Sequence, residues 1–444
     1  MLPLNEMLAI GLIATFIVLL LSGIRVAYAI AASGFIFGFI GFGTGLFNLL
    51  PARIYGVATN YTLLAVPLFV FMGVLLEKSR IAEDMLDVMG HLAGRQPGGM
   101  GVAIILVGVL MGAATGIVGA TVVTLGLIAL PALLKRGYNH GLATGAICAS
   151  GTLGQIIPPS LILILLADLM QESVGTLFAA ALMPGLMLAG LYVIYLLVLG
   201  RLKPELAPPM PDEELAAMSR GKLAKEVLRG VLPPLLLVFA VLGSIIGGVA
   251  APTEAASMGA FGAILVAAIS RKLSLRVLQE TMRETLKTTA MILFIIMAAQ
   301  VFSLAFRGLS GEDLIHEFMG AIPGGVWGTI LFMMVLLFIL GFFLEWIEIS
   351  YIVLPLLLPF FVKQGVDMVW LAMLICMNLQ TSFLTPPFGW ALFFMKGVAP
   401  PQIKTGEIYR GVIPFIGVQI VGLALLMIFP EISTWLPKAI GWMK

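Results

Sequence analysis

The sequence predicts an all-α polytopic membrane protein made of two inverted-topology repeats, each containing a re-entrant hairpin and a discontinuous helix. Three observations predict it: an excess of uncharged apolar sequence, a duplication at a fixed offset, and an uneven distribution of Lys and Arg.

Of 444 residues, 60% are hydrophobic and only 11% are charged, whereas a soluble globular chain carries about 25% charged residues. Charge is also segregated, with none in Met7–Leu21 or Leu182–Gly200. A helix needs roughly 20 apolar residues to cross the hydrocarbon core, and at least ten segments approach or meet that length. The surroundings of such a chain are a lipid bilayer. Its net charge of +2, with the basic residues in short loops, argues against a nucleic-acid partner. The start MLPLNEM is acidic and no small-residue cleavage site follows, so Met7–Leu21 reads as a first span rather than a cleaved signal. Cys148 and Cys376 lie in apolar helices and read as packing residues, with no disulfide framework.

A shift of 228 residues superposes the two halves without a gap. Leu130-Pro131 meets Leu358-Pro359, Lys135 meets Lys363, Gly137 meets Gly365, Ile147-Cys148 meets Ile375-Cys376, and Pro158-Pro159 meets Pro386-Pro387. Those are eight identities over positions 130–159, against roughly two or three expected for an apolar-biased composition. The expected organisation is a first repeat over 1–200, with a hairpin at 100–134 and a broken helix at 140–167. A linker at 201–230 follows, then a second repeat over 231–430 with its hairpin at 326–362 and broken helix at 367–396, then a tail at 431–444. The linker holds Pro204, Pro208, Pro209 and Pro211 and both signs of charge. It reads as a solvated loop with a surface amphipathic helix from about Pro211, where Asp212, Glu213 and Glu214 suit the positive helix end. Repeats of this kind mark secondary transporters.

If each hairpin leaves on the side it entered, each half crosses five times and the copies insert upside down. With the linker in the cytoplasm, 20 of the 25 Lys and Arg fall inside, and only Arg53, Arg307, Lys363, Lys438 and Lys444 fall outside. That is the asymmetry of the positive-inside rule, and it puts the N-terminus outside. Full-span hairpins would make the halves parallel and place eight basic residues outside.

Unpaired backbone groups in lipid cost several kcal/mol each, so a helix broken at mid-depth implies a protein-lined cavity. The run from Gly151 through Thr152, Gly154, Pro158 and Pro159 to Ser160 interrupts apolar segment 141–167. Its partner runs from Gln380 through Thr381, Ser382, Thr385, Pro386 and Pro387 to Gly389. Tandem prolines remove two amide donors and free the carbonyls upstream, which with Thr or Ser hydroxyls are hard ligands for a small cation. The half-helix that follows offers a positive dipole end to an anionic solute. A plain proline kink is the alternative. The hairpin tips are Gly112–Thr121, rich in Gly and Ala and so able to turn tightly, and its counterpart Leu340–Ile349. For the first tip, a small-residue helix-packing face is the alternative. Glu345 and Glu348 are the one pair of carboxylates deep in an apolar stretch, and intramembrane acids are functional by default. They could hold a cation, hold a proton, fix the tip by a hydrogen bond, or lie at the water interface beside Trp346. Asp168 and Glu254 read as lying near segment ends. His91, His140 and His316 lack a second ligand at metal spacing, and no HExxH, GxSxG or P-loop pattern occurs. No cofactor and no enzymatic engine are expected.

The residues Ala251-Pro-Thr-Glu-Ala-Ala-Ser257, Tyr61-Thr-Leu-Leu-Ala-Val-Pro67, Ala149-Ser-Gly151 leading to Pro158-Pro-Ser160, and Thr385-Pro-Pro387 together resemble the large permease subunit of tripartite ATP-independent periplasmic (TRAP) transporters of the ion-transporter superfamily. The likeness covers essentially the whole chain. It implies an elevator-type transporter in the bacterial inner membrane, with no catalytic residues. It implies a small four-helix membrane subunit and a periplasmic solute-binding protein as partners, Na+ (or H+) as coupling ion, and a small organic acid as solute. By position, Thr115, Gly116 and Gly119 with Gly151, Gly154 and Pro158 would form one cation site. Glu345 and Glu348 with Thr381, Ser382, Thr385 and Pro386 would form the other. Thr121, Thr152, Pro159, Ser160, Asn378 and Pro387 complete the candidate cation- and solute-binding set. Two segments, Thr152-Leu-Gly-Gln155 and Phe342–Glu348, resemble a subgroup associated with 2-oxo and 2-hydroxy acids. The first tip is poorer in hydroxyls and acids than those of many relatives. A stand-alone ion-coupled carboxylate transporter, a membrane-embedded enzyme using Glu345 and Glu348, and a passive structural subunit are the rival readings.

Overall fold

The computed structural model describes residues 3–443, without the side chains of Leu46, Phe47, Ala114, Thr115 and Ala217. Among the described residues the regular structure is helical throughout. Eight helices among the described residues are long and apolar enough to cross a membrane, and two bent helix pairs would raise that to ten. The lipid-type surface is apolar, as the exposed Phe39, Phe239, Phe261 and Phe294 illustrate.

Helix bounds recur at the offset of 228. Val118–Lys135 corresponds to the segment Trp346–Lys363, and His140–Leu153 to the start of Met368–Leu384. Even the caps correspond: Asn139 Oδ1 accepts from the Leu142 amide at 3.2 Å, and Asp367 Oδ1 accepts from the Trp370 amide at 3.0 Å. Elsewhere the halves diverge. The first half uses a bent pair, Gly45–Ala58 and Ala65–Lys78, where the second has one 34-residue helix, Leu275–Gly308. This long helix packs along Val26–Phe42. A Cβ on Gly34 would come within 2.8 Å of the Phe302 amide nitrogen, so only glycine allows that approach.

Both hairpins fold back on themselves. Gly99–Thr115 and Val118–Lys135 turn at Gly116 (φ 62°), a left-handed conformation that glycine adopts without strain. Arg136 Nη1 then reaches Met100 Sδ at 3.2 Å, so the second arm ends where the first began. Gly325–Leu340 and Trp346–Lys363 form the second hairpin, whose far end returns to the preceding short helix, where Phe360 meets His316 edge-on at 5.3 Å.

The linker differs from its expected form. Residues 206–210 are stitched to the foot of the first hairpin: the Met210 amide donates to Gly94 O (2.7 Å), Gly98 to Ala207 O (2.9 Å), and Asn139 to Leu206 O (3.0 Å). Ala207 and Met210 are buried. The cause is local: the prolines hold this stretch extended, and its apolar side chains find the hairpin base rather than water. Two short helices, Asp212–Ala217 and Arg220–Glu226, replace the single amphipathic helix. The second runs through a π-turn at Val227–Val231 into Leu232–Ile246, so no break separates linker from second half. Glu214 grips Arg136 at 2.8 Å. The segment read as a tail is helical over Glu431–Ala439 and packs on Val174–Leu202, burying Ser433, Thr434 and Pro437.

Candidate functional site

Both proline pairs interrupt a helix. His140–Leu153 stops, residues 154–160 form an irregular loop, and Leu161–Met170 resumes. Met368–Leu384 stops, residues 385–389 intervene, and Trp390–Val398 resumes. Pro158-Pro159 and Pro386-Pro387 are both cis. Ser160 Oγ donates to Gln155 O and closes the first loop on itself.

The hairpins lie against these breaks. A Cβ on Gly112 would overlap the Gly154 Cα, so the first hairpin meets the first break backbone to backbone. In the second half, Ser382 Oγ donates to Phe338 O (2.7 Å) and Asn378 Nδ2 to Met334 O (2.7 Å), fastening the broken helix to the first arm of its hairpin. Ser150 Oγ, at the position matching Asn378, does the same to Ile104 O at 2.8 Å. Ser382, read as a candidate ligand, thus donates its hydroxyl proton to hairpin backbone, and Asn378 one of its two amide protons. Thr152, Thr381 and Thr385 donate to carbonyls three or four residues upstream in their own helices, and Thr121 to Ile117 O. Donating the proton does not itself use up a hydroxyl oxygen's lone pairs. The Thr115 side chain lies outside the described residues.

Two tips and two breaks surround one central cavity of about 350 Å3. The first tip contributes Ile117, Val118, Gly119 and Val123, and the first break contributes Gln155. The second tip contributes Glu345 and Trp346, while Phe383, Trp390 and Phe394 come from around the second break. Of the candidate set, Gly119 and Glu345 reach this cavity. Gly119 is tight, since a Cβ there would sit 2.7 Å from the Phe394 ring. Pro387 lines a neighbouring cleft of about 680 Å3 with Phe342, Phe388, Lys396 and Tyr409, and Trp390 stands in the wall of both. Pro158, Pro159 and Ser160 are buried behind the first break, and Gly151 packs on Val122.

Glu345 and Glu348 take different positions. Glu348 Oε2 accepts the Glu345 amide at 3.0 Å, capping the helix that leaves the tip. Glu345 is the charged residue among those lining the cavity. Two polar groups there escaped the sequence reading. Gln155 is fully buried, and neither its Nε2 nor its Oε1 has a hydrogen-bond partner among the described residues. Trp390 Nε1 is likewise buried without a partner. Buried polar atoms left unpaired cost about 1–3 kcal/mol each, and a ligand that supplied the partners would recover that cost. The sequence signal was Gln155's place three residues before the tandem prolines, at the end of the Thr152-Leu-Gly-Gln155 segment.

A third cavity, of about 610 Å3, gathers Arg53, Arg307 and Lys363 with Asp168 and Tyr351. Asp168, near the end of its helix, accepts from Asn60 Nδ2 and lies 3.5 Å from the Tyr351 hydroxyl. Glu254 caps its helix by accepting the Ala251 amide at 2.8 Å. Cys148 and Cys376 are buried free thiols.

Among known proteins, the chain is 29% identical over 393 residues to the C4-dicarboxylate TRAP transporter large permease protein DctM of Pseudomonas aeruginosa, covering 88% of this chain and 90% of that one. It is 27% identical to the sialic acid TRAP transporter large permease protein SiaM of Vibrio cholerae, covering 97% and 98%. These relatives are permeases, not enzymes. In fold it resembles the crystal structure of the Alcanivorax borkumensis YdaH transporter, with a TM-score of 0.60, 15% identity, and 88% and 89% of the two chains covered. Residues 13–432 match the model of the tripartite ATP-independent periplasmic transporter DctM component, and the chain belongs to that family as a multi-pass membrane protein.

Proposed function

We propose that this chain is the permease subunit of a sodium-coupled, binding-protein-dependent importer of a small organic acid in the bacterial inner membrane. The observation that carries the reading is the meeting of two hairpin tips and two broken helices around one cavity, with a carboxylate and unpaired polar atoms among the residues that line it. The first turn of Trp390–Val398 borders that cavity, where the helix end presents roughly half a positive charge to a bound anion. Carbonyls freed at the breaks, the Thr and Ser oxygens and Glu345 supply hard ligands for Na+. On this reading the halves are inverted repeats, the hairpins are re-entrant, and the hairpins with the broken helices move as an elevator. The linker faces the cytoplasm and the N-terminus the periplasm. Arg53, Arg307 and Lys363, which this orientation places outside, share one cavity and would attract an incoming anion. A four-helix membrane subunit and a periplasmic solute-binding protein complete the system.

Uptake into proteoliposomes tests the proposal, with sodium and proton gradients imposed separately and the binding protein present or absent. Uptake should follow the sodium gradient and require the partner. Uptake driven by neither gradient, or undiminished without the binding protein, would refute it.

A further inference from the structure

The composition of the central cavity bears on which acid it accepts, an inference that rests on the carboxylate-permease reading above. Its walls are Ile117, Val118 and Val123 on one side and Trp346, Phe383 and Phe394 on another. Its volume of about 350 Å3 is at the small end of ligand cavities, which run from roughly 300 to 1,000 Å3. No Lys, Arg or His is among the residues that line it. The hydrogen-bonding groups left free by the fold are the side-chain amide of Gln155 and the indole N–H of Trp390.

We infer that this cavity takes a monocarboxylate with an apolar body, its one carboxylate held by Gln155 Nε2 and Trp390 Nε1. Two neutral N–H donors point at one carboxylate, which gives Gln155 Nε2 and Trp390 Nε1 the acceptor that the protein withholds. The body of the solute then lies against aromatic and branched walls and gains from leaving water. A second carboxylate would meet the same apolar surface without a cation, which is a costly place for a charge. The coupling cation offsets one negative charge beside Glu345 and leaves none for a dianion. A polyhydroxylated acid fails for a related reason, since its hydroxyls would leave water for walls that cannot hydrogen-bond them.

Calorimetric titration of the full-length chain in sodium-containing detergent buffer tests this, using 4-methyl-2-oxopentanoate and succinate as probes. The branched monocarboxylate should bind roughly ten-fold tighter or better. Gln155→Leu should remove its binding. Val123→Lys, which places a cation in the wall, should raise succinate affinity and narrow or reverse the preference. Succinate binding as tightly as the monocarboxylate, or affinities indifferent to both substitutions, would overturn the inference and leave the carboxylate-permease reading standing. Failure of the chain to bind either acid, with sodium and binding protein supplied, would overturn both.

Discussion

The two helix breaks arise from the same device, tandem prolines at matching positions, and end in different states. Residues 151–160 are buried along their whole length, and the loop is closed by Ser160 and covered by the first hairpin. At the second break Pro387 and Phe388 are exposed, Thr385 and Pro386 half-buried, and the loop opens on the 680 Å3 cleft. The neighbours explain the contrast. Gly112 lets the first hairpin touch Gly154 main chain to main chain, whereas the residue at the corresponding position of the second hairpin is Leu340. There the close approach is made one residue later, by Gly341 against Ser382. Matching breaks can therefore be held one shut and the other ajar by differences in side-chain bulk where the hairpin meets the loop. In the proposed orientation, the open loop and Lys396 face the cytoplasm.

The largest effect should come from making the first side like the second. Gly112→Leu drives a side chain into the Gly154 backbone, where overpacking costs about 3 kcal/mol or more. Fluorescence-detected size exclusion should show little folded protein, and a normal peak with unchanged thermal stability would break the comparison. Next in size is the pair of tip carboxylates. Glu345→Gln should raise the sodium concentration for half-maximal uptake about ten-fold, within the usual range of site coupling. Glu348→Gln keeps an acceptor for the Glu345 amide and should stay near the parent value. Equal responses would mean that the two acids share one role. The smallest effect belongs to the hairpin fasteners. Ser150→Ala and Ser382→Ala each remove one hydrogen bond to a facing arm, worth about 0.6 kcal/mol in membrane proteins. Similar small drops in melting temperature are expected, and a large loss at only one would sharpen the asymmetry.

The helix breaks and the turn at Gly116 were legible because prolines and glycines act through backbone geometry, which is local. Pro158-Pro159 and Pro386-Pro387 could be read without knowing any neighbour. Gln155 and Trp390 could not, because their significance is that nothing in the fold satisfies them, and that depends on segments more than 200 positions apart. For the same reason, the hydrogen bonds from Ser382 and Asn378 to the carbonyls of Phe338 and Met334 could not be read from the sequence. The linker was misread because charge and proline content suggested water, while Leu206, Ala207 and Met210 found an apolar groove at the hairpin foot.

The wall of the central cavity is drawn from residues 117–155 and from residues 345–394, with the linker between them. Neither half of the polypeptide supplies that wall alone. A gene cut in the linker would yield two fragments, each inert, that recover a chamber only by reassembling. By the same logic, a half-length forerunner of this protein would have had to work as a pair.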